Sequence, residues 1–190
     1  GVVYSSEEIH FLLCVGTDLP SGDGLRPFMR CREEGSAAVA KGMTELNRAL
    51  AALPEVRELL MDLDAGRAPA AVSGLSGVHR AQLAAAIRQE TQRPLLIVCA
   101  DEGEANRMAG DLSVLLGEDV SLLFAREWQL RDRVAASHGW EQQRIGTLCR
   151  LAAGKAPVLV ATADGLMQRT LPPSALEGAV TDLAPGARFD

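Results

Sequence analysis

The sequence predicts an α/β fold, a parallel sheet with flanking helices, on three observations. Four short apolar runs, at Pro69–Ser73, Pro94–Ala100, Val120–Phe124 and Pro157–Thr162, alternate with stretches of helical spacing. Strands separated in this way by helices imply right-handed crossovers and a parallel sheet. Two of the runs, Pro94–Ala100 and Pro157–Thr162, are continuously apolar, the pattern of strands covered on both faces. Composition agrees: 47% apolar, 23% charged and only 4% aromatic residues over 190 positions describe one globular core in which Ala and Leu replace aromatics.

Taken in order, residues 1–42 read as an irregular leader outside the fold. Gly16, Gly22, Gly24, Gly35, Pro20 and Pro27 interrupt any periodicity, and Met43 is read as the natural start. From Met43 a helix opens, with Thr44 as its expected N-cap. Leu53-Pro54-Glu55 begins a second helix carrying Val56, Leu59, Leu60 and Leu63, closed by Gly66. After the first strand, an Ala-rich helix runs to about Thr91. Asp101 and Glu102 lead the next helix, where the dipole favours acids, and Ala105, Met108, Ala109, Leu112 and Leu115 form its apolar face. A polar segment follows the third strand, and then a helix through Gln143, Leu148 and Leu151. Residues 43–170 are expected to form this α/β domain, and residues 171–190 the start of a truncated second one.

The formal net charge of -6 argues against a strong nonspecific nucleic-acid binder, which needs an excess of Lys and Arg. Cys14, Cys31, Cys99 and Cys149 are scattered, with no C-x-x-C pair and no His at ligand spacing. No metal site is expected, and a reduced, cytoplasmic setting fits. No run approaches the roughly 18 apolar residues that span a bilayer. Phe11–Val15 follows Glu7 and Glu8 rather than a basic segment, so it makes a poor signal peptide.

The segment Ala70–Arg80 places a glycine-bearing turn between a strand and a helix, the setting of phosphate-binding loops. Ser73, Gly74, Ser76, Gly77, Val78 and His79 make up this loop. With Gly77 as the last glycine of G-x-x-x-x-G-K-[ST], Val72 takes the first glycine's place, Val78 the lysine's and His79 the hydroxyl's. The charge that grips phosphates and the hydroxyl that holds magnesium are absent. No cofactor is therefore expected to bind. A nucleophile elbow also fails, because Val78 replaces the closing glycine of G-x-S-x-G.

Elsewhere, Thr162 or Asp164 is expected as a helix N-cap rather than a magnesium ligand, since Asp164 has no neighbouring carboxylate. Arg126, Trp128, Arg131, Arg133, Trp140 and Arg144 combine aromatics with arginine, as single-strand binders do. They read more simply as solvated helix faces and as anchors of a connection, or as interdomain contacts.

Several stretches together resemble the N-terminal region of the bacterial transcription-repair coupling factor family (Mfd). These are Ala71–Ala81, Arg93–Glu102, Ala125–Trp128, Trp140–Arg144 and Ala161–Pro173, in order from about Met43 onward and excluding the leader. The resemblance implies a helicase-like lobe similar to the first domain of the excision-nuclease subunit UvrB, with a degenerate nucleotide site. It also implies partners and chemistry located elsewhere in a longer protein. UvrA would be recruited by the remainder of the second domain, RNA polymerase and DNA would be contacted by other domains, and ATP and magnesium would be used by a separate motor. For this chain it implies no catalysis, but a scaffold and regulatory surface packed against those other domains. Two rival readings are a divergent domain that still binds ATP through the Ser73–Gly77 backbone, and a free-standing nucleic-acid binder dependent on Arg131 and Arg133.

Overall fold

The computed structural model describes residues 2–5, 11–15, 35–67, 69–125 and 138–179. Two N-terminal strands, β1 (Val2–Ser5) and β2 (Phe11–Val15), are followed by helices α1 (Gly35–Ala51) and α2 (Pro54–Asp64). Then come β3 (Ala70–Val72), α3 (Gly77–Thr91), β4 (Leu95–Cys99), α4 (Glu102–Leu116) and β5 (Ser121–Leu123). The series continues with α5 (His138–Ala152), β6 (Val158–Thr162), α6 (Ala163–Met167) and α7 (Pro173–Ala179).

All six strands form one sheet in the order β3-β1-β2-β4-β6-β5. The expected parallel arrangement holds for β4, β6 and β5, with Leu95 opposite Val158 and Ser121 opposite Leu159. β1 is parallel to β3, whereas β2 runs antiparallel to both β1 and β4. The sheet is thus mixed at β2 alone, and β3 to β6 all point the same way. Their C-terminal ends share one edge.

The expectation that nothing before Met43 enters the fold is corrected on two counts. β1 and β2 pair into the middle of the sheet, and α1 begins at Gly35. Thr44 consequently lies within a helix and is not its cap. The cause in the first case is that strand pairing is non-local. A four- or five-residue strand carries little periodic signal, and its partners lie far along the chain.

The core lies on both faces of the sheet. On one, Leu95, Ile97, Cys99, Val158 and Val160 meet α3 and α4 through Ala81, Ala84, Ala85, Ile87, Ala105, Met108 and Leu112. The alanines of α3 let that helix pack closely, and α2 adds Leu59 and Leu63. On the other face, Leu123, Leu159 and Ala161 pack against Leu148 and Leu151 of α5. Every residue of β6 is buried, as its unbroken apolar sequence requires. Asn47 of α1 is 1% exposed, and its amide donates to Gln89 of α3 at 3.2 Å and to the Leu115 carbonyl of α4 at 3.1 Å.

Termination follows sequence chemistry. Pro54 opens α2, Asp101 caps α4, and Gly117 closes α4 in a left-handed conformation at φ 66°. Gln92 takes the same role after α3 at φ 56°. Short α7 packs on α5 and buries Leu176, so this part of the segment expected to start a second domain rests on the α/β layer. Among the described residues no helix is long and apolar enough to cross a membrane.

Candidate functional site

The shared edge of strand ends is where an α/β sheet gathers ligands. Leaving β3, the chain turns at Ser73 and Gly74, with Gly74 at φ 78°, a backbone conformation that glycine adopts without strain. Ser76 is the N-cap of α3, yet its side chain makes no capping bond to the backbone. Its hydroxyl instead lies 3.0 Å from His79 Nδ1. Arg80 is the first of this turn to close on the cap, its N–H donating to the Ser76 carbonyl at 3.0 Å. Val78, at the lysine position of the phosphate-loop form, is 61% exposed.

The loop is braced from inside the protein. Arg80 donates through Nε to the Leu75 carbonyl at 3.2 Å and through a terminal nitrogen to Glu104 Oε1 at 3.3 Å. The second Glu104 oxygen accepts from the Ala100 N–H at 3.2 Å. Asp101 Oδ1 accepts from the Glu104 N–H at 2.8 Å. Arg80 and Glu104 are both largely buried, at 14% and 19% side-chain exposure, so the pair is shielded from solvent more than a surface ion pair. The loop after β3 and the turn after β4 are therefore one connected unit. Its sequence signal was the Asp-x-x-Glu spacing at Asp101–Glu104, the pattern of a capping box. The Arg80 partner had no such signal.

Cys99, at the end of β4, lies beside this unit. Burial first, then the neighbouring carboxylates Glu104 and Asp101, push its thiol up to about 12, with Arg80 opposing. A thiol held protonated to that degree is neither a nucleophile nor a ready metal ligand. Among the described residues no cluster of His, Cys, Asp and Glu is arranged to hold a metal ion.

The end of β6 is built differently. Thr162 caps α6, its hydroxyl accepting from the Gly165 N–H at 3.2 Å. Arg144, reaching across from α5, donates to the Phe124 carbonyl beyond β5 and to the Gly165 carbonyl at 3.1 Å. Burial lowers the pKa of its guanidinium from the usual value. A Cβ on Gly165 would stand 2.6 Å from the Leu123 carbonyl oxygen and 3.0 Å from the Phe124 carbonyl carbon, so only glycine fits this approach. Thr147 adds a bond from α5 to the Leu122 carbonyl at 2.8 Å.

The structure thus brings Ser73, Gly74, Ser76, Gly77, Val78 and His79 together on one exposed loop. Arg144 stands apart from them in the α5–α6 joint. Trp140 is placed by its backbone in the first turn of α5. Arg126, Trp128, Arg131 and Arg133 lie outside the described residues.

Among known proteins, no family model matches the chain and no solved structure matches it. Curated proteins do. The transcription-repair-coupling factor of Myxococcus xanthus is 31% identical over 125 residues, covering 62% of this chain and 10% of that protein. The transcription-repair-coupling factor of Bacillus subtilis (strain 168) is 28% identical over 120 residues, 63% of this chain and 10% of that protein. The chain is similar to transcription-repair-coupling factors. It spans about a tenth of the length of these relatives. Three stretches singled out in the sequence, Ala71–Ala81, Arg93–Glu102 and Ala161–Pro173, each cross the C-terminal end of a strand, at β3, β4 and β6.

Proposed function

We propose that this chain is a non-hydrolytic module of a transcription-repair coupling factor, a UvrB-like, helicase-like lobe kept as scaffold and regulatory surface in transcription-coupled excision repair. The observation that carries the reading is the loop after β3. Val78 projects an apolar side chain to solvent where a lysine would grip phosphate, and the Ser76 hydroxyl is taken up by His79. The loop carbonyl at Leu75 is held by Arg80, a protein group, so its shape does not depend on a bound anion. The donor set is a poor fit to ATP with magnesium, since neither the ammonium nor the metal-binding hydroxyl is supplied at its position. On this reading ATP is used by a separate motor of the longer protein, UvrA is recruited by the adjoining domain, and RNA polymerase and DNA are contacted elsewhere. The setting is cytoplasmic. The module's own task is to position and mask the UvrA-recruiting domain.

Isothermal titration of the full chain with ATP and magnesium tests the reading. No saturable heat is expected up to millimolar nucleotide, whereas micromolar binding would overturn it. The doubly substituted chain Val78→Lys, His79→Ser serves as the comparison, because it restores both phosphate-loop groups on an unchanged backbone.

A further inference from the structure

We draw no further inference here: the strongest candidate, the apolar surface patch that Leu166, Met167 and Leu171 expose between α6 and the start of α7, carries nothing because nothing in the structure shows what covers it.

Discussion

The strand-to-helix turns after β3 and after β6 occupy the same edge of the sheet and are built on opposite principles. After β3 the glycines have open space around them, with nothing within 4 Å of a Cβ placed on Gly74 or Gly77. After β6 the turn is filled. Gly165 lies against backbone, Thr162 caps it from one side, and Arg144 binds two carbonyls from the other. A loop that grips a ligand needs the ligand's space and the ligand's charges. The first turn has open space around its glycines but no cation at Val78, and the second is filled by internal bonds. The difference is between an open turn at β3 and a filled, internally bonded one at β6.

Substitutions sharpen that contrast in descending order of effect. Gly165→Ala forces a methyl into the Leu123 and Phe124 backbone, and overpacking of this kind costs typically about 1–3 kcal/mol. Because the contact is with backbone and not with a flexible side chain, urea unfolding is expected to place it at the upper end. A neutral result would mean that the joint is not filled as described. Arg144→Ala removes the donor from the Phe124 and Gly165 carbonyls, partly offset by relief of the charge's desolvation. A loss of about 1–2 kcal/mol is expected, with Arg144→Lys recovering only part of it because a single ammonium cannot span both carbonyls in the same planar fork. Gly77→Ala is the control at the open end. It adds a methyl to the first turn of α3 where nothing is near. Its effect on the unfolding midpoint is expected to be within about 0.5 kcal/mol, or slightly stabilising through lower unfolded-chain entropy. A large loss there would erase the distinction between the two turns.

The strands β4 and β6 were legible in the sequence because both are continuously apolar, and β6 is buried throughout. The runs at Leu95–Cys99 and Val158–Thr162 can hardly be anything else when each is flanked by amphipathic helices. The loop at Ser73–His79 was legible through its glycines and the cap at Thr162 through local chemistry, whereas Asp101 was read as a first-turn acid and is the N-cap of α4. What was missed depends on distant partners. The run Phe11–Val15 was seen as apolar, yet nothing local says that it pairs with β4. The Gly- and Pro-containing stretch after it favoured reading the whole leader as foreign. The start of α1 was placed at Met43 although Ala37, Ala38 and Ala40 already support helix. Arg144 was set among surface contacts, because carbonyls contributed by Phe124 and Gly165 have no sequence signature. The Arg80–Glu104 pair joins two helices and was invisible for the same reason.

The position of β3 also bears on how the molecule assembles. β4, β6, β5 and the helices between them can collapse with comparatively short loops to close. β3 is only one helix upstream, but it has no direct pairing with β4. Among the described residues its ladder is to β1, which itself joins β4 through β2. Long-range pairings of this kind are formed late, after much of the chain's freedom has already been spent. The strand that carries the glycine loop is thus expected to be the last to enter the sheet, although in sequence it lies directly beside the helix that starts the core.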